Sequence, residues 1–362
     1  MLRKRFGQLV DALAWRGMHA IARRQESRLI PQLPQTHEML LPHVTRMFSP
    51  PAEHTLQFVN GAAWEKRGKT WRRDFAFPSA LPSPQARNNT VYVRTYAPER
   101  ELHRPAVIVL HGLMNFTTAA YSPFLRAIVE AGACAYILEL PYHHRRTPSG
   151  SISGDLFHTI DLVLTQQAVQ QAVADVRLLV RYLRGAAAPR IGVLGFSLGA
   201  WIGGLVACCE PELDFAMLGM PPNNLNELVW HSALGAQLCR RFAALGWSPK
   251  TTAEFYAALD PITYRPLLPR ERIQLYAAEF DTLIALEQVY ELQRAWGMPN
   301  LRTYAHGHLT IMISRQLHQD FRADFTQRIS QPRVAPQVVT VIATAPDQIA
   351  PLITSSHSYA PK

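Results

Sequence analysis

The sequence predicts an α/β domain with a mostly parallel central sheet, leading antiparallel strands, helices on both faces and a helical cap insertion. Two features predict the parallel sheet. Short, continuously apolar segments recur after Pro105: AVIVL (106–110), ACAYILEL (133–140), RIGVLGF (190–196), FAMLGM (215–220), RIQLYAA (272–278) and LRTYAH (301–306). Strands of this kind are buried on both faces, and the longer helical stretches between them supply the crossovers that parallel strands need. A third feature predicts the leading pair. Residues 71–77 and 90–96, the latter alternating as VYVRTY, have the period of half-buried strands and flank a Pro- and Asn-rich loop.

At 362 residues, with 48% hydrophobic and 18% charged side chains, the chain can bury its own core. Global disorder and collagen-like structure are excluded. No apolar run reaches the ~18 residues of a spanning helix, and the Arg-interrupted first thirty residues hold no signal-peptide core, so a cytoplasmic protein is expected. Cys134, Cys208, Cys209 and Cys239 have neither disulfide-framework nor zinc-ligand spacing and read as small buried hydrophobes. No cofactor is expected, because no dinucleotide fingerprint follows a strand. Residues 63–70 (AWEKRGKT) lack the first glycine of a phosphate loop. Neither is a nucleic-acid module found.

Charge is unevenly placed. Of the net +10, half lies in residues 1–30, where Arg3, Lys4, Arg5, Arg16, Arg23, Arg24 and Arg28 face only Asp11 and Glu26. Leu2, Phe6, Leu9, Val10 and Leu13 recur there at helical spacing. This basic amphipathic helix is expected either to lie on an anionic membrane, peripheral to its inner face, or to pack on the main domain with its basic side outward. The expected organisation is a helix and Pro-rich linker over 1–55, the α/β domain over 56–330 with a cap at about 221–270, and a Pro/Ser/Thr-rich tail over 331–362. The long connections at 141–189 and 221–270 follow strand ends, where lids and pockets are built.

The sharpest local signal is Gly195-Phe196-Ser197-Leu198-Gly199, between an apolar strand and a helix. A strand-to-helix elbow strains the serine and lifts its hydroxyl clear of the sheet, which needs tiny residues two places either side. A serine nucleophile also needs a base and a carboxylate to orient that base. Asp281 ends RIQLYAAEFD, and His308 follows a glycine just after the last strand. Glu279 and His306 are the alternative acid and base. Acyl transfer further requires donors for an oxyanion. His111-Gly112-Leu113-Met114 follows the first parallel strand, so the Leu113 and Leu198 backbone N–H groups are the expected pair. Metal chemistry is not expected: a mid-strand pairing of His306 and His308 makes a poor metal site, and HGHLTI lacks the further Asp-His of a binuclear metallohydrolase.

From Val107 to about Phe325 the chain resembles the α/β-hydrolase superfamily, by HGLMN, GFSLG, EFDTLI and AHGHL. The resemblance implies Ser197 as nucleophile, Asp281 as acid and His308 as base, in agreement with the reading of the residues. PYHHRRTPSGSISGDLF is further similar to a little-studied branch of hydrolases with P-Y-x-x-R-R-x-P at this place, for which phospholipid deacylation is an expected activity. His143, His144, Arg145 and Arg146 are accordingly candidates for holding an anionic head group. The expected function is serine-dependent cleavage of a carboxylic ester with an acyl or lipid-like substrate, under an apolar lid containing Trp230, Phe242, Trp247, Phe255 and Tyr256. Two alternatives stand beside it: an acyltransferase or thioesterase using the same triad, and an idle fold serving as a membrane-surface or partner-binding scaffold.

Overall fold

A computed structural model of the chain describes residues 4–14, 16, 29, 31–32, 48, 56–61, 63–101, 103–115, 117–232 and 235–333. The tail beyond 333 and most of the Pro-rich stretch lie outside the described residues. Residues 4–14 are helical (α1). Three edge strands follow, β1 (Asn60–Gly61), β2 (Glu65–Arg67) and β3 (Thr70–Pro78), and then β4 (Thr90–Ala97). The GKT segment that resembles a phosphate loop is the turn and start of a hairpin, with Arg67 opposite Thr70.

The α/β body alternates as β5 (Ala106–Leu110), α2 (Ser122–Glu130), β6 (Cys134–Leu138), α3 (Leu162–Gly185), β7 (Ile191–Phe196), α4 (Leu198–Cys209) and β8 (Phe215–Gly219). Three short helices come next, α5 (Leu225–His231), α6 (Ala236–Ala244) and α7 (Pro249–Leu259). The chain then forms β9 (Ile273–Ala278), α8 (Leu286–Ala295), β10 (Asn300–Tyr304) and α9 (Arg315–Ser330). Strand order is β1-β3-β4-β6-β5-β7-β8-β9-β10, with β2 on β3. Pairing is antiparallel from β1 to β6 and parallel from β6 to β10.

Period-2 geometry divides each central strand between two cores. In β5, Ala106, Ile108 and Leu110 face the core built with α3 and α4, while Val107 and Val109 face the one built with α2 and α9. β5 to β9 thus have no solvent side, whereas LRTYAH, expected to be buried on both faces, forms the edge strand β10 and exposes Asn300, Arg302 and Thr303. In β4 the alternation survives as half-buried Tyr92, Arg94 and Tyr96 against buried Val91, Val93 and Thr95, because only one of its faces is fully covered. The first parallel crossover, β5-α2-β6, and its successors leave the C-terminal ends of β5, β7, β9 and β10 side by side at one rim, where sites of open α/β sheets form.

One buried ion pair ties the β6–α3 connection to the edge of the body. Arg146 and Asp175 are both fully buried with Nη1 2.9 Å from Oδ2. Arg146 also donates from Nε to the Asn88 carbonyl and from Nη1 to the Glu139 carbonyl, and Ser79 Oγ donates to Asp175. Removing one partner strands the other charge, at a cost of about 3–5 kcal/mol, whereas replacing both with apolar residues is often close to neutral. Arg146→Met is therefore expected to lose that much stability in urea denaturation, and Arg146→Met/Asp175→Leu to recover most of it.

Candidate active site

Ser197 sits between β7 and α4 with φ 54° and ψ −121°, outside the regions an L-residue prefers. What holds it there is main-chain contact. A Cβ on Gly195 would lie 2.2 Å from the Gly199 carbonyl oxygen, and one on Gly199 would lie 2.1 Å from that of Leu110. Only glycine permits α4 to start so close to β5 and β7. The Ser197 N–H is tied to the Gly219 carbonyl at 2.9 Å, so β8 fixes the turn from the other side.

His308 and Asp281 come to this serine from the ends of β10 and β9. His308 Nε2 lies 3.0 Å from Ser197 Oγ, and Nδ1 lies 2.7 Å from Asp281 Oδ2. The second Asp281 oxygen accepts from the Leu283 and Ile284 N–H groups, each at 2.8 Å, which locks the carboxylate's orientation. That contact fixes the Nδ1–H tautomer of His308 and leaves Nε2 to accept from the serine hydroxyl. Burial alone would lower the imidazole's pKa, but the carboxylates of Asp281 and Asp11 outweigh it and hold the pKa above the ordinary value. Glu279 and His306 are elsewhere. Glu279 is exposed and accepts from Thr303 Oγ1, and the His306 carbonyl belongs to a main-chain bond with Phe280.

The Gly112–Asn115 loop rides over the elbow, with the Cβ position of Gly112 3.9 Å from that of Ser197. Leu113 and Leu198 both line the cavity above Ser197, and neither backbone N–H has an acceptor among the described residues. The loop is held by groups that accept its other amides. Tyr121 Oη takes Gly112 N–H at 2.9 Å, and His143 Nε2 takes Met114 N–H at 3.3 Å. His111 Nε2 in turn takes Leu140 N–H at 3.1 Å. Both rings must be neutral to accept, and their setting keeps them so. Burial lowers His143 to about 3, and burial with the neighbouring His143 takes His111 well below its ordinary value.

The HHRR stretch therefore has a different place from the one its charge suggests. None of His143, His144, Arg145 or Arg146 lines the cavity. His143 is fully buried under the Met114 amide, and Arg146 is spent on Asp175. Arg145 is exposed, pairs with Glu139 at 2.8 Å and lies over the Tyr92 ring. His144 is half-buried with its ring edge-on to His111, and burial lowers its pKa. His143 supports the loop over the elbow, and Arg146 anchors the connection to α3.

The cavity over Ser197 has a volume of about 590 Å³. Its walls are largely apolar, with Phe157, Trp201, Leu225, Leu228, Val229 and Leu238 among them. Residues 221–270 contribute α5, α6 and α7 as its roof. Trp201 Nε1 donates to the Leu259 carbonyl, and Asp260 accepts the Leu225 N–H, so the roof is bolted to α4. Of the aromatic residues expected in a lid, Tyr256 lines the cavity and pairs with His158. Phe255 is buried, and Trp230, Phe242 and Trp247 pack on one another behind it.

Asp11 is the residue that sequence reasoning missed. It is fully buried, and its two oxygens accept the backbone N–H groups of His308 (2.7 Å) and Leu309 (3.0 Å) across 297 positions of chain. One turn earlier, Gly7 meets Gly307 backbone to backbone; a Cβ on Gly7 would be 2.8 Å from the Gly307 nitrogen. α1 thus buries Gly7 and Asp11, and leaves Phe6, Leu9 and Leu13 exposed. Of the two expected placements, a membrane surface or the main domain, the helix contacts the domain, but through Gly7 and Asp11, with Phe6, Leu9 and Leu13 pointing away from it. Spacing had shown which residues share a face, while a small residue and a carboxylate made the actual contact.

No family model matches the chain. An uncharacterized protein of Mycobacterium tuberculosis, found in two strains, is 30% identical over 234 residues, 62% of this chain. The chain spans about half of that relative's length, 54%. Among solved structures, acetyl xylan esterase 1 from Thermoanaerobacterium sp. JW/SL YS485 superposes with a TM-score of 0.61 at 13% identity, over 83% of this chain and 96% of its own. The acetyl xylan esterase from Paenibacillus sp. R4 gives 0.58 at 14% identity, over 88% and 93%. The chain has the α/β-hydrolase fold. A cold-adapted esterase from an Arctic intertidal metagenomic library, at 0.50 and 16% identity over 74% and 97%, shares this fold too.

Asp11→Ala would leave two amides of the His308 turn without acceptors, a loss of roughly 2–4 kcal/mol. Asp11→Asn is no substitute, because its NH₂ must face one of the two N–H donors. Both variants are expected to lower the melting temperature and to speed hydrogen exchange at the His308 and Leu309 amides.

Proposed function

We propose that the protein is a serine hydrolase that cleaves a carboxylic ester of an apolar acyl chain through an acyl-enzyme on Ser197. The observation that carries this reading is the unbroken chain Ser197 Oγ–His308–Asp281, at 3.0 and 2.7 Å, on the floor of an apolar cavity of about 590 Å³. That the fold neighbours are named esterases supports ester chemistry, and the cavity's walls support an acyl substrate.

In this mechanism Ser197 Oγ attacks the ester carbonyl carbon while His308 Nε2 takes the hydroxyl proton. The carbonyl oxygen becomes an oxyanion and receives the N–H groups of Leu113 and Leu198. Collapse of the tetrahedral adduct breaks the bond to the alcohol oxygen, and His308 returns the proton to that leaving group. Water then repeats the sequence on the acyl-enzyme: His308 takes its proton, the acid is released, and Ser197 recovers its hydrogen. Asp281 stays ionised and stabilises the imidazolium. Asp11 acts through the loop, as a positioning residue: it fixes the backbone from which His308 projects and adds negative charge behind it.

Labelling with a fluorophosphonate, which reports an activated serine without a known substrate, is the direct test. The wild type is expected to label and to hydrolyse p-nitrophenyl esters. Ser197→Ala is expected to lose both, with kcat down by about 10⁶-fold. Labelling without turnover in water, followed by turnover on adding an alcohol or thiol acceptor, would give the acyltransferase instead; a folded chain that does not label would leave an idle scaffold.

A pH profile tests His308 separately. The base must be neutral, so kcat/KM falls as pH drops through its pKa, and that acid limb is expected above the ordinary histidine value. Because Asp11 contributes to raising it, Asp11→Asn is expected to move the limb to lower pH, a change that a purely structural loss of activity would not produce.

A further inference from the structure

The exposed face of α1 continues into the mouth of the cavity. Phe6, Leu9 and Leu13 are 57%, 57% and 59% exposed, and their spacing of three and four puts them on one side of the helix. Beside them in space is the turn that Asp11 grips. Leu309, whose N–H bonds to Asp11, is 40% exposed, and Ile313 is 71% exposed. Ala14, Leu309, Met312 and Ile313 all line the cavity, so the apolar patch and the cavity's rim are one surface.

Its charge is of one sign. Lys4 and Arg5 are exposed on α1, Arg16 is exposed two residues past its end, and Arg315 is exposed two residues beyond Ile313. The only acidic residue of 4–16, Asp11, is buried against backbone amides and contributes nothing to the outer surface. Side by side on the helix, apolar residues and arginines form the pattern that sits at a lipid interface, the first in the acyl region and the second among phosphates.

We propose that this face docks the protein on an anionic phospholipid surface, with the mouth of the cavity turned to the bilayer. The occupant is chosen by complementarity: a cationic, apolar, convex face matches an anionic surface with an apolar interior, and a neutral lipid surface satisfies only half of it. The docking rests on α1 and the 309–313 turn alone, so it stands independently of whether Ser197 cleaves esters.

The test is co-sedimentation of the full chain with vesicles of phosphatidylcholine mixed with phosphatidylglycerol, against vesicles of phosphatidylcholine alone. The wild type is expected to bind the anionic vesicles and to be released by salt. Lys4→Gln/Arg5→Gln/Arg16→Gln is expected to weaken that binding by about 5-fold per residue removed, or roughly 100-fold in all. Phe6→Gln/Leu9→Gln/Leu13→Gln is expected to abolish it. These side chains touch neither the cavity nor the Asp11 contact, so circular dichroism and fluorophosphonate labelling in buffer should match the wild type and certify the fold. Labelling absent from wild type and variant alike would sink the hydrolase reading while leaving the vesicle result intact. The docking itself is overturned if the wild type ignores anionic vesicles, or if the apolar variant binds them equally. It is overturned too if the wild type is a dimer that fails to bind vesicles and becomes monomeric in that variant, which would assign the face to a second copy.

Discussion

A contact between two pieces of backbone sets the geometry on which everything else at the site depends. α4 begins against the end of β5, with Gly199 packed on the Leu110 carbonyl and on Gly195. No side chain fits between them. The chain leaving β7 must therefore reverse within one residue, and Ser197 takes the left-handed strain of that reversal. Three consequences follow from the same constraint: the hydroxyl is lifted off the sheet, the Leu198 N–H is left free at the helix start, and the loop after Leu110 is brought over it. A looser junction would relax the serine and separate the two amides, losing alignment where about an ångström matters.

The histidines around this junction divide into two electrostatic classes, and geometry explains both. His111 and His143 accept amide protons with Nε2, have no carboxylate beside them and are pushed toward neutrality by burial. His308 is buried as well, yet Asp281 and Asp11 reverse the outcome. On acidification His308 thus takes up a proton well before His143 and His111 do. The arrangement separates a ring whose pKa two carboxylates raise from rings that serve as fixed acceptors.

Much of this was legible in the sequence because it is local or topological. Continuously apolar pentamers such as AVIVL declare doubly buried strands, and the chain order Ser197, Asp281, His308 follows once those strands are placed side by side. GFSLG announces its own turn, since the turn tolerates little else. What was not legible came from pairings between distant segments. Nothing near Arg146 indicates that Asp175 lies beneath it, so PYHHRR read as a cationic loop, although burial had already spent one guanidinium and turned one imidazole into a hydrogen-bond acceptor. Likewise periodicity put Phe6, Leu9 and Leu13 on one side of a helix, Leu2 lying outside the described residues, but periodicity is silent on which side is covered.

Asp11 makes the point most sharply, because it connects the two ends of the described chain. A helix whose large apolar residues face outward gains little from the hydrophobic effect, so something else must hold it. Here the close Gly7–Gly307 approach and two charge-assisted hydrogen bonds do so, the latter together worth roughly 2–4 kcal/mol. The acceptors of those bonds could have been supplied by water or by a loop of the body. Instead they come from the helix that also bears the exposed apolar face, and they land on the backbone of His308, whose Nε2 lies 3.0 Å from Ser197 Oγ, and of Leu309 beside it. α1 is consequently not a detachable anchor joined to a self-sufficient domain. Lifting it would take the acceptors from the His308 and Leu309 amides and open the Gly7–Gly307 contact.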